Sequence, residues 1–459
     1  MSVTADLRSA LLAVVPDERR VLDADAALDQ HAADLSYHPP RRPDVVVYAE
    51  STEEVAAVLA YANRAGIAVV PFGAGTSLEG HVIPLEGGIS LDLTRMNAIV
   101  ALRPEDLTVT VEAGVTRLQL EAAVGPQGLW FPVDPGADAT LGGMAATNAS
   151  GTTTVRYGGM RQHVLALEAV LADGSVVRAG SRAVKTSAGY NLASLLVGSE
   201  GTLAVITELT LRLHPIPDHV VVARAAFPTV EAACRCAASL IGVGVVLTRC
   251  ELVDAMTIAA LNAFADMEFE LAPHLFLELG GSEPAVAGDV ALAREVVADE
   301  GGVDFVAESD PTARARLWNA RHNALMASLA LAPGLKAMTT DVAVPVSELA
   351  GAIEAARSAL DASELQGGIV GHVGDGNFHV AFLLDPSDGD SIAQAAALNA
   401  AVVEDALRRG GTCTGEHGIG FGKLDYLELE HGDLVPLYRG IKQLFDPNGI
   451  MNPGKVVRR

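Results

Sequence analysis

Residues 45–80 read "VVVYAESTEEVAAVLAYANRAGIAVVPFGAGTSLEG", and the pattern of this stretch decides the fold class. Two apolar, β-branched runs enclose a segment of helical periodicity, so the stretch predicts strand, helix, strand. Ser51 stands at the helix N-cap, Glu54 three residues later completes a capping box, and Gly66 ends the helix. The second strand runs through Pro71 straight into Gly73, Ala74, Gly75, Thr76 and Ser77. Its glycines do not fall in the dinucleotide spacing G-x-G-x-x-G, and no Walker A motif occurs in the chain. A glycine- and hydroxyl-rich loop at a strand end still offers backbone N–H groups to a phosphate.

Working outward, "GISLDL" and "LTVTVEAGV" (107–115) read as further strands. A polar, glycine-rich segment follows, "DPGADATLGGMAATNASGTTTVRYGG" (134–159). It is too long for an ordinary connection and predicts a second binding loop. No lysine precedes Lys185, so an anionic ligand held by this half of the chain depends on backbone N–H groups and on donors such as Thr147, Asn148, Ser150 and Thr152. "VLALEAVLADGSVVRAG" and "GTLAVITELTLRLHPIP" return to strand patterns. Beyond Pro215 and Pro217 the text changes to longer helices (228–241, 346–361, 391–410) mixed with strands (274–279, 369–374). That composition predicts two domains: residues 1–215, completed by a tail at 446–459, and a second α+β domain at 216–445.

The bulk properties narrow the function classes. The 459 residues carry 57 acidic against 32 basic side chains, a net charge of −25 that repels nucleic acid and anionic membrane surfaces. Cys234, Cys236, Cys250 and Cys413 are too few and too irregularly spaced for a disulfide framework, which predicts reduced thiols. The N-terminus lacks the pattern of a secretory signal and no run reaches membrane-spanning length, so a cytoplasmic protein is expected, with peripheral contact to the inner face of the membrane left open.

Chemistry concentrates near the C-terminus. In "GHVGDGNFH" (371–379) an Asp-Gly pair predicts a two-residue hairpin turn at Asp375 and Gly376, with His372 directly facing His379. Glu416 and His417 in "TGEHGIG" could add a third ligand and a base, a His₂Glu set compatible with zinc, manganese or iron. Arg321, in the helical "RLWNARHNALMA" (316–327), is a guanidinium suited to a carboxylate. Without any cofactor the same three ligands would describe a metallohydrolase.

Taken together, "PFGAGTSLEG", "DPGADATLGGMAATNASGTTTVRYG", "VGSEGTLAVIT", "LWNARH", "TTDVAVP", "GHVGDGNFH", "TGEHGIG" and "MNPGK" resemble the FAD-linked D-lactate (D-2-hydroxy acid) dehydrogenases, flavoproteins of the vanillyl-alcohol-oxidase type. The resemblance implies an N-terminal FAD-binding domain and an α+β cap domain with an antiparallel sheet. It implies cofactor contacts from Pro71, Gly73, Ala74, Gly75, Thr76 and Ser77; from Pro135, Gly136, Asp138, Gly142, Gly143, Ser150, Gly151 and Tyr157; and from Glu200, Gly201, Ile206 and Asn452. His372, His379 and Glu416 match the metal ligands of that family, His417 its base and Arg321 its carboxylate clamp. The substrate so implied is a 2-hydroxy acid, and the electron acceptor a cytochrome, a quinone or an electron-transfer flavoprotein. A homodimer is compatible with the resemblance. The 2-hydroxyglutarate branch resembles this chain less: it uses a lysine near Thr339 and an asparagine near Ala381, and this chain has neither. A monocarboxylate such as D-lactate, or glycolate, is therefore expected. His81, where many relatives carry glycine, leaves a covalent flavin link open.

Overall fold

The computed structural model describes residues 3–265 and 267–458, which group into two compact units. One comprises 1–150, 158–216 and 416–459; the other comprises 151–157 and 217–415. The first boundary falls beside the expected one, whereas the chain returns to the first unit at 416, thirty residues before the expected tail.

In the first unit the opening stretch forms strand Val45–Tyr48, helix Thr52–Ala65 and strand Val69–Phe72. The two strands flank Ile89–Asp92 in parallel, and Val21–Leu22 adds an antiparallel edge. Helix Thr52–Ala65 buries Val55, Val58, Leu59 and Ala62 on one face, and each fully buried Val or Leu contributes roughly 1.5–3 kcal/mol. Ser51 caps it by accepting from the Glu54 amide (3.3 Å), and Gly66 closes it at φ 66°. The capping box is not reciprocal, however. The Glu54 carboxylate accepts from the Glu50 amide (2.9 Å) and pairs with Arg20 (2.6 Å), a stronger partner than the amide of Ser51.

An antiparallel five-stranded sheet (Ile99–Arg103, Thr108–Glu112, Val205–Arg212, Val164–Val170, Val176–Gly180) completes this unit with its own apolar core. The C-terminal tail joins the first sheet: Val69 donates to the Ile450 carbonyl (2.8 Å) and Asn452 to that of Val69 (2.8 Å). The segment expected to be one long loop contains helix Leu141–Thr147, capped by the Thr140 hydroxyl. Its polarity hid a close packing surface, since a Cβ on Gly142 would stand 2.6 Å from that of Ala113.

The second unit is built on one antiparallel sheet in which Leu247–Val253 lies between His274–Gly281 and Gln366–His372. Gln366–His372 pairs in turn with Asn377–Leu384, which also pairs Lys336–Thr339 and Val342–Ala343. Helices Val230–Gly242, Leu349–Asp361 and Gly389–Arg408 occupy the expected places. All four cysteines are buried and none is in a disulfide among the described residues. Among the described residues no helix is long and apolar enough to cross a membrane.

The expected hairpin register is corrected. His372 faces Asn377 and His379 faces Val370, so the loop is Val373–Gly376 and not a two-residue turn. Tertiary contacts override the local Asp-Gly preference. Gly374 presses on Cys250 and Val155, its amide donating to the Cys250 carbonyl (3.3 Å), while the Gly376 carbonyl accepts from Val344 (3.0 Å). Gly376 sits at φ 86°, and a Cβ there would collide with the Val344 carbonyl oxygen. Gly376→Ala is therefore expected to destabilise the protein by about 2 kcal/mol or more, combining the left-handed backbone cost with that collision. Urea unfolding checks this, and unchanged stability would contradict the four-residue loop.

Candidate functional site

The end of strand Val69–Phe72 and helix Leu141–Thr147 border one cavity in the first unit, with about 1280 Å³ of atom-free space including its open mouth. Pro71, Gly73, Ala74, Gly75, Thr76, Ser77, Pro135, Gly142, Gly143, Ser150, Glu200, Gly201, Ile206 and Asn452, all named above as cofactor contacts, line it. Gly136 and Asp138 do not: the Asp138 carboxylate turns away to accept from the Leu118 amide (3.0 Å) at the start of helix Arg117–Val124. Gly151 and Tyr157 belong to the short segment grouped with the second unit, where neighbouring Arg156 bonds the Gly280 carbonyl (2.6 Å).

The glycines of the lining are required by close approach. A side chain on Gly73 would strike the Thr140 hydroxyl, one on Gly75 would meet the Phe72 ring at 2.9 Å, and one on Gly201 would meet Pro71 at 2.9 Å. Among the described residues, no lysine or arginine lines the cavity. Among the described residues, the Ala74, Gly75 and Thr76 amides donate to no protein acceptor, so the loop presents backbone N–H groups to an anion. Several side chains expected as donors are otherwise engaged. Ser77 donates to Asp34 (2.9 Å), Thr147 to the Gly143 carbonyl (3.2 Å), and Asn148 accepts from the Arg161 amide (3.0 Å).

Glu200 and His81 meet on the cavity wall, Oε2 to Nε2 3.3 Å, both buried. The Glu200 carboxylate also accepts from the Ile419 (2.7 Å) and Gly420 (2.8 Å) amides. Burial opposes the charged form of each. The mutual attraction outweighs it, so His81 titrates above its ordinary value and Glu200 below, helped by the two amides. Asn452 ties both together, donating to the His81 (3.0 Å) and Glu200 (2.8 Å) carbonyls. Lys455 is held on the Ile83 carbonyl (2.8 Å), and burial pulls its ammonium down to about 8. Glu416 and His417 line the same cavity, and His417 Nδ1 lies 3.8 Å from Glu79 Oε1, which is 3.3 Å from Lys423 Nζ. Glu79 and Lys423 carry no local sequence signal that marks them as part of a site.

The second unit carries a polar cluster of its own. His372 and His379 lie on one face as diagonal neighbours, ring centroids 5.4 Å apart and planes at 81°. His372 Nδ1 bonds both oxygens of Glu251 (2.8 and 2.9 Å), and His379 Nδ1 bonds the Thr340 carbonyl (2.9 Å). Those partners place the lone pair of each neutral imidazole on Nε2, the form a metal ligand uses, so the pair fits a divalent ion. Glu251, which nothing in its local sequence distinguishes, also accepts from Arg321 Nη2 (2.6 Å). Burial would raise the Glu251 carboxyl, but His372 and Arg321 together hold it below the ordinary range. Arg321 itself is buried, with Nε lacking a hydrogen-bond partner.

One unit thus carries a glycine-walled cavity that presents backbone amides, and the other a His–His–Arg cluster. The chain belongs to the FAD-linked oxidases: residues 43–180 match the FAD binding domain and 216–456 the C-terminal domain of that family. It is 46% identical to "Probable D-lactate dehydrogenase, mitochondrial" of Danio rerio, across 96% of this chain and 90% of that one. It is 44% identical to "D-lactate dehydrogenase [cytochrome], mitochondrial" of Arabidopsis thaliana, across 90% and 73%. Among solved structures, substrate-bound p-cresol methylhydroxylase superposes with TM-score 0.79 across 98% of this chain and 96% of its own, at 18% identity, a likeness of fold alone.

Glu200→Gln is expected to destabilise the protein by about 3–5 kcal/mol, because it leaves a buried imidazolium uncompensated. The pair's contribution falls away as pH drops through the lowered Glu200 value, beneath 4.5. It also falls away as pH climbs through the raised His81 value, above 6.5. The difference between wild type and variant should therefore be greatest between those limits and shrink on either side, as denaturation at stepped pH would reveal.

Proposed function

We propose that this protein is an FAD-linked D-lactate dehydrogenase that oxidises D-lactate to pyruvate and passes electrons to an acceptor other than NAD. The observation that carries the reading is the buried Arg321–Glu251–His372 network with His379 beside it. FAD would be held by the first unit's cavity and would supply the two-electron acceptor; a divalent ion, for which His372, His379 and Glu416 are the proposed ligands, would supply a Lewis acid. Arg321 fixes the substrate carboxylate, using donors that Glu251 does not occupy. Glu251 already balances the Arg321 charge, so a further anion in this buried place calls for a second positive charge, which supports an ion on the histidines. His417 takes the proton of the substrate hydroxyl, leaving C2 ready to release its hydride; a positioned base is worth about 10²–10⁴-fold.

A small monocarboxylate is the substrate this site suits. Thr339 and Ala381 stand directly opposite each other on adjacent strands, and Ala381 shares a strand face with His379. Neither side chain of that rung carries a charge for a distal carboxylate. A cytochrome as oxidant agrees with the printed name of the Arabidopsis thaliana relative.

The purified protein is expected to be yellow, and its flavin band to bleach anaerobically on adding D-lactate, more readily than with glycolate or D-2-hydroxyglutarate. A band that persists with D-lactate but bleaches with another of these acids would reassign the substrate. A protein that takes up no FAD would overturn the reading. Two variants apportion the roles. Arg321→Lys should lower kcat/KM by roughly 10²–10³-fold, mostly through KM, because the ammonium cannot reproduce the guanidinium fork. His417→Gln should lower kcat by about 10²–10⁴-fold with little change in KM. Steady-state reduction of cytochrome c or an artificial dye reads both.

A further inference from the structure

We propose that Glu251 is the positioning residue of this enzyme: one buried carboxylate that fixes the ion-facing tautomer of His372 and the orientation of Arg321 together. The proposal rests on the reading above, in which His372 is a metal ligand and Arg321 the carboxylate clamp.

The geometry leaves Glu251 little else to do. It stands on strand Leu247–Val253, paired in register with His372 on the neighbouring strand, and is fully buried. Both of its oxygens lie on His372 Nδ1, at 2.8 and 2.9 Å, and Oε2 also receives Arg321 Nη2 at 2.6 Å. Arg321 comes from a different element, helix Pro311–His322, whose Trp318 is pinned in turn by Glu278 on the adjacent strand (Nε1 to Oε2 2.7 Å). Arg249, two residues before Glu251, bonds the same Glu278 oxygen at 3.0 Å. The helix is therefore registered against the sheet by two carboxylates, of which only Glu251 touches both working side chains. A carboxylate accepts from both donors at once. A glutamine of the same size turns an N–H₂ toward one of them, so it keeps the volume and loses the dual role.

Partners behind a metal-ligating histidine commonly change metal affinity about 10–100-fold. The consequence particular to this arrangement is that one substitution disturbs two properties that otherwise have separate determinants. Glu251→Gln, loaded with FAD, is expected to bind Mn²⁺ about 10–100-fold more weakly and to show a raised KM for D-lactate even at saturating Mn²⁺. Arg321→Lys should move KM while leaving Mn²⁺ affinity within threefold or so of wild type, because it leaves His372 bonded to Glu251.

The experiment begins on the wild-type holoenzyme stripped of metal, by proton NMR at low field. A hydrogen-bonded Nδ1–H resonance that disappears in His372→Gln and in Glu251→Gln supports the proposal. Its absence from wild type overturns the proposal whether or not the variants fold. Mn²⁺ titration and D-lactate kinetics on folded Glu251→Gln follow. Wild-type values for both, with only the melting temperature lowered, would reduce Glu251 to a structural role and sink the idea. If the resonance is present and Glu251-dependent but wild type does not oxidise D-lactate, the substrate assignment fails while the positioning role of Glu251 stands.

Discussion

The first unit depends on the carboxylate of Glu200. Its backbone holds φ 54°, a left-handed conformation that a glutamate adopts only when its surroundings demand it. The reason lies in the number of segments it joins. Its amide donates to Ala146 in helix Leu141–Thr147, its carboxylate receives two amides from 419–420, its carbonyl receives Asn452, and its charge faces His81. Five stretches far apart in the chain are thus tied at one buried group, and the cavity wall is where they meet. Removing a single partner leaves the others desolvated, which is why such networks hold a geometry more sharply than apolar packing does.

Glu251 does the same in the second unit with fewer partners. There the constraint is electrostatic balance in a buried place: one carboxylate, one guanidinium and a histidine, all within hydrogen-bond reach. Such a cluster rigidifies its members because any rotation that improves one bond weakens another. The acidic surface of the chain plays no part in it. The net charge of −25 bears on solubility and on which partners approach, while the chemistry is set by a handful of buried groups whose charges nearly cancel.

Much of this was legible before any coordinates. The strand–helix–strand of 45–72 followed from periodicity, Ser51 and Gly66, because those signals act within one helical turn. The glycine-rich loop after it was legible as a candidate cradle, since no lysine precedes Lys185 and backbone amides are the donors such a loop offers. The hairpin of 371–379 was legible as a hairpin, yet its register was not. Asp-Gly favours a two-residue turn locally, and contacts to Cys250, Val155 and Val344, from three distant segments, lengthened it to four. Nor was the partner of Asp138 legible: its carboxylate accepts from the Leu118 amide, twenty positions back, an amide that only the tertiary structure brings beside it.

What the sequence by itself determined about this protein are the features with local causes: helix ends, strand alternation, the two glycine-rich loops, and the residue types able to bind a metal, a carboxylate or a proton. The tertiary structure alone decided which buried carboxylates stand behind those residues. Glu200 and Glu251 have unremarkable neighbours in the chain, and their partners lie between 54 and 252 positions away. The value of a buried charge is set by what is brought within about 3 Å of it, a quantity that no local pattern encodes.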